Sequence, residues 1–570
     1  MNRDGQTKLS RRQQRLKRWD RRGRARVPDF LESWNRRTFF TLAILLIILV
    51  VGLSLLWWPA ILFGIPVVML TIVGVRDIRQ SRHAILRNYP LLGHFRFFAE
   101  SIRPELRQYF VESDWEENPF SREMRSIVYQ RAKNVLDTVP FGTKRLVEQV
   151  GYEWIAHSLE PKHPSREVAR IVIGEKRCSQ PYSSSLFNIS AMSFGSLSYK
   201  AILALNRGAA LTGCSHNTGE GGVSPYHLKN GGDLVWQIGT GYFGCRTDDG
   251  GFDRDKFVAQ SCGASIKMIE VKLSQGAKPA HGGILPGEKV SQEIADIRGV
   301  EVGVTVASPP AHRAFKGPRG LLEFVTELRE LSGGKPVGFK LCVGQRPQFL
   351  AIVKAMLESG LVPDFITIDG GEGGTGAAPL EFSNSVGMPL VNGLTFVHNA
   401  LIGAGLREEI RLISAGKIAT GFHIARQLAL GADLCNSARS MMFALGCIQA
   451  LKCNTNKCPV GVATQDHTLT KGLIVSDKAI RVANYHDKTV DALLELVGAA
   501  GLDSPADLRP YHVFRRTSPS QVEHLGNIFP TIEPECLLGQ DCPEPYRSEW
   551  AIAQTNTFDL DRNGFKRDST

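Results

Sequence analysis

The sequence predicts an α/β protein whose main body is a (β/α)8 barrel. From about Phe187 to Ser437, short apolar runs alternate with amphipathic segments, which is the order of a barrel of parallel strands and outer helices. Ahead of this region, residues 38–75 contain no charged side chain. A run of that length predicts a transmembrane helical hairpin. We therefore expect a hairpin, a helical neck, a barrel at residues 166–446 and a helical C-terminal extension.

Eight segments have the length and composition of buried strands. In chain order they are 187–191, 214–218, 234–239, 268–273, 337–343, 365–369, 410–416 and 432–437. Helical patterns fall between most of them, as at 320–332, 349–360 and 421–431. Strands and helices that alternate in this way over about 250 residues are typical of a closed barrel. A doubly wound open sheet is the alternative, because periodicity alone does not distinguish the two.

The formal net charge of the 570 residues is +12, and most of the excess lies at the N-terminus. Residues 1–37 hold thirteen Lys and Arg against four Asp and Glu. The remainder is close to neutral, so the charge does not indicate a partner nucleic acid. We expect residues 1–37 to form a basic cytoplasmic tail beside a membrane.

The uncharged run is long enough for two membrane crossings. Residues 38–57 fit one crossing of about 20 residues, and residues 60–75 fit a shorter second one. Arg76 and Arg79 make the far flank basic too, and basic flanks face the cytoplasm. The sequence thus predicts a hairpin in the inner (cytoplasmic) membrane with the main body in the cytoplasm. A single crossing and a cleaved signal peptide are the alternatives.

Two further regions flank the predicted barrel. Residues 76–165 look helical and polar, and we interpret them as a cytoplasmic neck. Residues 466–570 contain a strong helical pattern at 477–502, followed by a polar tail.

Glycine-rich loops follow several predicted strands, at the end of the barrel where chemistry collects. "NTGEGG" (217–222), "DGGEGGTGAAP" (369–379) and "GKIATG" (416–421) are three of them. The last lies where such barrels bind phosphate, with Gly416 and the start of a helix at Thr420; an ordinary glycine-containing β/α turn is the alternative. "GEGGTG" also matches a dinucleotide fingerprint, but no helix follows it. We therefore expect no Rossmann domain.

Three of the eleven cysteines, Cys447, Cys453 and Cys458, fall within twelve residues. A structural zinc, a disulfide and an iron–sulfur centre are the competing interpretations. A reducing cytoplasm disfavours a disulfide. The C-x2-C pairs typical of zinc are missing, and a zinc site would need His467 as its fourth ligand. Three thiolates can also hold an iron–sulfur cluster.

Several long motifs resemble the FMN-binding synthase domain of glutamate synthase. They are "ISAMSFGSLS" (189–198), "NTGEGG" (217–222), "KLSQGAKP" (272–279), "LPGEKV" (285–290), "DGGEGGTGAAPLEF" (369–382) and "CPVGVATQ" (458–465). The resemblance covers about residues 165–500 and is closest to synthase domains that stand alone. The hydrophobic hairpin is an addition to the family pattern.

The resemblance implies two cofactors. In that family, C-x5-C-x4-C followed by P-V-G-x-A-T-Q binds a 3Fe–4S cluster, so Cys447, Cys453 and Cys458 would be ligands in a cluster loop at 447–465. FMN would lie across the barrel mouth. The positions that match those around its ring and phosphate are Ala191, Met192, Ser193, Gln237, Lys340, Asp369, Gly416, Ala438 and Arg439. Ala438 and Arg439 replace the Gly-Thr usual in large glutamate synthases.

The resemblance also implies the reaction. Glu220 and Lys278 match the family's catalytic acid and its 2-oxoglutarate-binding lysine. The reaction would be the reductive amination of a 2-oxo acid, 2-oxoglutarate to L-glutamate. A lysine can pair with a carboxylate or polarise a keto oxygen, and a glutamate can move protons. Structural ion pairs, including one between these two residues, are the alternative roles.

The expected partners follow from what the sequence does not contain. From this sequence we expect neither a glutaminase domain nor the large β-helical domain of full-size glutamate synthase. Ammonia would then come from solution or a separate glutaminase subunit, and electrons from ferredoxin or another reductase. An FMN-dependent amine or N-alkyl amino acid oxidoreductase is one alternative function. A non-catalytic redox protein that retains both cofactors is another.

One loop departs from the family pattern. Where the family has "KPGEGGQLPG", this chain has "KPAHGGILPG", so Ile284 replaces the glutamine that contacts the oxo acid. His281 replaces the acidic residue of the same loop. We expect weak binding of 2-oxoglutarate unless a protonated His281 compensates.

Overall fold

The computed structural model describes residues 34–81, 83–111, 118–135, 138–539 and 541–560. Most of the predicted basic tail and the last ten residues of the predicted C-terminal tail lie outside the described residues. The chain divides into two compact units, Met1–Glu117 and Asn118–Thr570.

The first unit is built on two apolar helices, α1 (Arg36–Leu56) and α2 (Gly64–Arg79), which a 3-10 turn joins. A Cβ at Gly74 would meet the ring of Phe39, and a Cβ at Gly64 would meet Val50. These contacts pair the start of α1 with the end of α2, so the helices run antiparallel. By length and composition alone, α1 and the span Trp58–Arg79, which is the 3-10 turn together with α2, could each cross a membrane. The membrane location stays a prediction.

Two further helices complete the described part of the first unit, α3 (Ala84–Asn88) and α4 (Leu92–Leu106). The buried carboxylate of Asp77, near the end of α2, holds the start of α4. It accepts a hydrogen bond from the Leu91 N–H at 3.0 Å and lies 2.9 Å from His94 Nε2. The first turn of α4 is therefore fixed to the last turns of α2.

The second unit contains a closed barrel of eight parallel strands that neighbour one another in chain order. The strands are β1 (Phe187–Ile189), β2 (His216–Asn217), β3 (Leu234–Ile238), β4 (Ile266–Lys272), β5 (Val337–Leu341), β6 (Phe365–Asp369), β7 (Arg411–Ala415) and β8 (Leu434–Ser437). Each overlaps its predicted segment. Because β8 pairs with β1 through Asn436 and Asn188, the barrel is confirmed and the open-sheet alternative was wrong.

Helices surround the barrel and extend beyond it. They are α5 (Arg122–Ala132), α6 (Tyr199–Thr212), α7 (Pro225–Leu228), α8 (Arg254–Ser261), α9 (Gln292–Arg298), α10 (Gly317–Leu331), α11 (Arg346–Ser359), α12 (Leu380–Ser385), α13 (Leu390–Gly403), α14 (Gly421–Ala429), α15 (Arg439–Leu445), α16 (His467–Thr470), α17 (Val475–Ala499), α18 (Leu525–Ile528) and α19 (Tyr546–Ile552). Every residue of β5 and β6 is buried, as expected for parallel strands covered on both faces. The helix predicted at 477–502 corresponds to α17.

The predicted neck does not end where the sequence suggested. Residues 118–165 fall in the second unit, and α5 is their one helix among the described positions. Tyr129 on α5 donates a hydrogen bond to the Cys447 carbonyl at 2.6 Å. Residues Glu153–Ile155 form a strand that pairs with Val513–Ser518. Contacts between residues more than 300 positions apart leave no local pattern, so periodicity could not reveal them.

Candidate active site

One cavity of about 170 Å3 lies at the carboxyl ends of the barrel strands. It is lined by all eleven residues predicted to bind FMN or act in catalysis: Ala191, Met192, Ser193, Glu220, Gln237, Lys278, Lys340, Asp369, Gly416, Ala438 and Arg439. Cys453 also reaches its wall, whereas Cys447 and Cys458 do not line it. The barrel thus brings together residues that span more than 240 positions of sequence, and their roles remain predictions.

Glu220 forms its closest ion pair with Lys272, at the end of β4. Lys272 Nζ lies 2.8 Å from Glu220 Oε1 and also donates to Gln275 Oε1 at 3.1 Å. Burial by itself raises the pKa of Glu220, but the charge and hydrogen bond of Lys272, together with the charges of Arg298 and Lys278, outweigh it and lower that pKa below its usual range. Glu220 is therefore held as a carboxylate.

Two more cations lie near the same carboxylate, Lys278 and Arg298. Both contribute to lowering the pKa of Glu220. Burial lowers the pKa of Lys278, although the charge of Glu220 opposes the shift. Arg298 Nη2 donates to the Phe194 carbonyl at 3.0 Å, and burial lowers its pKa to about 10. Three cations around one carboxylate leave a positive excess that suits an anionic ligand.

Two glycines leave room for the Glu220 side chain. A Cβ at Gly283 would lie 2.6 Å from Glu220 Oε1, and a Cβ at Gly239 would lie 2.7 Å from Oε2. Real Cβ atoms do not approach so closely. The carboxylate can lie where it does because glycine has no Cβ at either position.

Lys340 and Asp369 form a second buried ion pair across β5 and β6. Lys340 Nζ lies 3.1 Å from Asp369 Oδ2, and that oxygen also accepts the Gly276 N–H at 3.1 Å. Burial alone would lower the pKa of Lys340, but the charges of Asp369 and Glu270 outweigh it and raise that pKa. Lys340 thus remains a cation in the cavity wall.

Glu270 on β4 organises the polar interior of the barrel. It accepts hydrogen bonds from Gln237 Nε2 at 2.6 Å, Asn217 Nδ2 at 2.8 Å and Thr367 Oγ1 at 2.7 Å. All four side chains are buried. Gln237, a predicted FMN contact, is therefore held in one orientation by a carboxylate whose oxygens are satisfied.

The predicted phosphate end of the cavity lies after β7 and β8. Gly416 has φ 145° and Lys417 has φ 48°, so the turn after β7 uses two left-handed residues in succession. Thr420 then caps α14 by accepting the His423 N–H. The guanidinium of Arg439 contacts the Thr375 carbonyl, and its Nη1 lies 3.7 Å from Cys453 Sγ. Arg439 therefore links the glycine-rich loop after β6 to the cysteine loop.

Lys289 and Gln465 attach the cysteine loop to the barrel. Lys289 Nζ donates to the carbonyls of Cys453 at 2.8 Å, Ala463 at 2.9 Å and Ser196 at 3.2 Å. Gln465 Nε2 donates to the carbonyls of two residues of the loop after β1, at 3.0 and 2.8 Å. These bonds hold the cysteine loop against the cavity.

The three cysteines do not form a site for one metal ion. Among the residues that the structure describes, no three His, Cys, Asp or Glu side chains lie close enough together to hold one. His467, the fourth ligand of the zinc alternative, is exposed at the start of α16. Burial raises the pKa of Cys447 to about 11. The arrangement therefore gives the zinc interpretation no support.

Four residues of this site were missed by the sequence analysis: Lys272, Glu270, Arg298 and Lys289. Glu270 and Lys272 carried a signal, because they stand two residues apart in the otherwise apolar segment 268–273 and so share a face of the strand. Lys289 lies in the matching motif "LPGEKV", which gave it no role, and Arg298 lies in an ordinary helical pattern.

A family model described as a conserved region in glutamate synthase matches residues 142–503, well over half of the chain. The glutamate synthase large subunit-like protein YerD of Bacillus subtilis (strain 168) is 39% identical over 531 residues, which cover 86% of this chain and 98% of YerD. The chain belongs to the glutamate synthase family. It is an oxidoreductase of the class that acts on CH–NH2 donors, as the sequence predicted.

Other relatives of this glutamate synthase family member match in part. The archaeal-type glutamate synthase [NADPH] of Thermotoga neapolitana is 35% identical over 321 residues, which are 56% of this chain and 60% of that protein. Mandelate oxidase, a solved structure, is 14% identical with a TM-score of 0.37 and covers 70% of this chain and 98% of its own. That likeness is too distant to carry an argument, and the barrel assignment rests on the strand pairing.

Proposed function

We propose that this protein reductively aminates a 2-oxo acid, with FMN and a 3Fe–4S cluster as cofactors and with external ammonia and electrons. The observation that carries the proposal is the convergence of Glu220 with Lys272 and Lys278 in the cavity that the predicted FMN residues line. This arrangement puts a carboxylate that can move protons next to cations that can bind an anion.

The residues around the cavity fit FMN. Lys340 stays cationic because its pKa is raised, which suits the negative charge of a reduced flavin. Gly416 and the start of α14 offer backbone N–H groups and a positive helix end for a phosphate. Ala191, Met192 and Ser193 would line the ring, and Gln237 would contact its polar edge. FMN, when bound here, would supply hydride chemistry.

The chain's own groups then bind the substrate and move protons. Lys278 lines the cavity and would attract a carboxylate of a 2-oxo acid, since Glu220 alone does not neutralise the cations around it. Lys278 has a lowered pKa and so gives up a proton more readily than an ordinary lysine. Glu220, ionised by Lys272, can accept a proton. In the resting protein Glu220 is therefore ionised, and it would have to take up a proton before it serves as the acid that the resemblance implies.

The cysteine loop supports the cluster proposal by its chemistry. Cys447, Cys453 and Cys458 fall within twelve residues, and in a cluster each thiolate would hold a different iron. Cys453 lies in the wall of the cavity, so a cluster on this loop would lie next to the FMN position. A cluster here would pass single electrons from an external donor, ferredoxin or a separate reductase.

A reoxidation experiment tests the function. The purified protein is reduced with dithionite under anaerobic conditions, and the flavin absorbance is followed after addition of 2-oxoglutarate and ammonium together. Reoxidation that requires both reactants supports the proposal. The alternative oxidoreductase would be favoured if 2-oxoglutarate and ammonium did not reoxidise the flavin, and if amines or N-alkyl amino acids reduced the oxidised protein. The observation that supports this alternative is Ile284 in the cavity wall.

We also propose that α1 and α2 anchor the protein in the cytoplasmic membrane. The support is their apolar composition and their antiparallel arrangement, which puts the two basic flanks at the same end. Reporter fusions at Met1 and Thr570 should both report the cytoplasm, and alkaline carbonate should not extract the protein. A C-terminus outside the cell would establish a single crossing instead.

A further inference from the structure

Helix α4 and the turn that continues it to Val111 carry an apolar stripe exposed to solvent. Phe95 is 73% exposed, Phe98 59%, Leu106 45% and Tyr109 54%, with the half-buried Ile102 between them. The spacing of three, four and four residues places Phe95, Phe98, Ile102 and Leu106 on one face of α4, and Tyr109 lies in the π-helical segment Arg107–Val111 that follows. Apolar surface of this extent in water indicates a partner.

The neighbouring face of α4 is charged. Arg96, Glu100 and Arg103 are exposed, and Arg96 pairs with Glu100 at 2.9 Å. Residues 34–111 as a whole contain nine arginines, no lysine and three acidic residues. The helix is thus amphipathic within a strongly basic segment, which complements an anionic surface.

The start of α4 is fixed at one end of the apolar hairpin. Asp77 holds both the Leu91 N–H and His94, and the Trp34 indole donates to the Pro90 carbonyl at 2.9 Å. Arg76 and Arg79 lie at this same end, where the uncharged run stops. If α1 and α2 cross a membrane, this end lies at the level of the lipid headgroups.

We infer that α4 lies on the cytoplasmic surface of the membrane, with its apolar stripe at the boundary between headgroups and acyl chains. The partner is an anionic lipid surface, because the stripe is continuous with the hairpin and the segment has an excess of arginine. This inference rests on the proposed anchoring by α1 and α2 and goes beyond it. In this arrangement α4 binds the anionic membrane surface in addition to the hairpin.

Depth-dependent quenching in the full chain tests the inference. An environment-sensitive fluorescent amino acid replaces Phe98 in one variant, Glu100 in a matched control on the charged face, and Ile47 of α1 in a marker for the hairpin. Each is reconstituted into phosphatidylcholine vesicles with or without phosphatidylglycerol. We expect headgroup-level nitroxide lipids to quench position 98 at least twofold more than position 100, and acyl-centre nitroxides to quench position 47.

The pattern of quenching separates the two proposals. Quenching at position 47 but not at position 98 would overturn the inference and leave the anchoring intact. A protein partner would then be the candidate that covers the apolar stripe. Quenching at neither position would overturn both. Quenching at position 98 alone would uphold the surface helix and overturn the crossing.

The arginines are tested in the same vesicles. Arg96→Gln and Arg103→Gln should each lower the docked population at position 98 in anionic vesicles, by roughly fivefold per arginine. Neither should change the quenching at position 47. Quenching at position 98 that is equal with and without phosphatidylglycerol, and unchanged in both variants, would overturn the assignment of an anionic surface.

Discussion

Lys272 Nζ lies 2.8 Å from Glu220 Oε1, and this pair joins the end of β4 to the glycine-rich loop after β2. Lys278, six residues further along, is the family's substrate-binding lysine by resemblance. It contributes less than Lys272 to the ionisation of Glu220. Both lysines line the cavity, and Lys272 is the one whose charge and hydrogen bond act most strongly on the carboxylate.

Replacement of Lys272 by Met should lower the rate and change its pH dependence. Without this cation, burial raises the pKa of Glu220, so the carboxylate protonates at a higher pH. The acid limb of the kcat/KM profile should move to higher pH, and kcat/KM at neutral pH should fall by about a hundredfold or more. Lys229→Met, at an exposed position, is the matched control. An unmoved acid limb would show that Lys272 does not set the state of Glu220.

Gly283→Ala should displace the Glu220 carboxylate. The added methyl would lie 2.6 Å from Oε1, so the end of the Glu220 side chain would have to shift. We expect a loss of kcat of about tenfold to a hundredfold with flavin content retained, because a small misplacement of a catalytic group is costly. Gly344→Ala, where a Cβ meets nothing within 4 Å, should have wild-type kcat. Equal kcat in both variants would remove Glu220 from the chemistry.

Cys453→Ser should remove the iron and leave much of the flavin. The native protein, purified without oxygen, should hold one FMN and about three irons per chain. The variant should lose most of the iron, because a serine hydroxyl does not replace a thiolate ligand. Cys262→Ser, at an exposed cysteine outside the loop, serves as the control. Stoichiometric zinc without iron in the native protein would overturn the cluster proposal.

Acid should destabilise the barrel partly through His216. This histidine on β2 is fully buried, neither ring nitrogen has a hydrogen-bond partner, and burial lowers its pKa to about 3. As pH falls below about 6.5, the unfolded chain takes up a proton that the folded chain does not, so stability falls with falling pH. At about pH 5.5 one such group costs roughly 1.4 kcal/mol.

His216→Leu should therefore reduce the acid sensitivity of the fold. Between about pH 7.5 and 5.5, the thermal midpoint of the variant should drop by about 1–2 °C less than that of the wild type. His163→Leu, at an exposed position, should follow the wild type. If His216→Leu and the wild type show the same drop, the folded protein protonates His216 without cost.

The barrel could be predicted because each strand is short, apolar and bounded by turn residues. β5 and β6 match the predicted 337–343 and 365–369 to within two residues at each end. The predicted cofactor and catalytic residues converge for the same reason, since parallel strands place all following loops at one end. The strand Glu153–Ile155 could not be predicted, because its partner Val513–Ser518 lies more than 350 residues away.

The choice of ion-pair partner was also beyond the sequence. Lys272 and Lys278 stand in one motif, and only the strand geometry of β4 directs Lys272 at Glu220. The same strand directs Glu270 at Gln237. The alternation of charged residues in "MIEVKL" was the available signal, because inward-facing positions of a barrel strand recur every second residue.

Ile284 lies where its side chain can influence which substrate binds. Ile284 lines the cavity, in a short strand paired with Val306–Ala307. It follows Gly283, which adjoins Glu220. A glutamine at this position would place an amide beside the cations that surround Glu220. The wild type lacks that amide, so one hydrogen bond to a substrate carboxylate, worth roughly 1.5–3 kcal/mol, is missing.

Ile284→Gln should therefore lower KM for 2-oxoglutarate by about tenfold to a hundredfold, with a smaller change in kcat. The wild type should prefer a less acidic oxo acid, or an amine in the reverse direction, across a substrate panel with reduced methyl viologen as the donor. Ile480→Gln, at an exposed position on α17, controls for the substitution itself. A wild type that binds 2-oxoglutarate tightly, together with an Ile284→Gln variant of unchanged KM, would show that other residues of the cavity select the substrate. In that case the three cations around Glu220 would suffice to hold both carboxylates, and the missing amide would have no role.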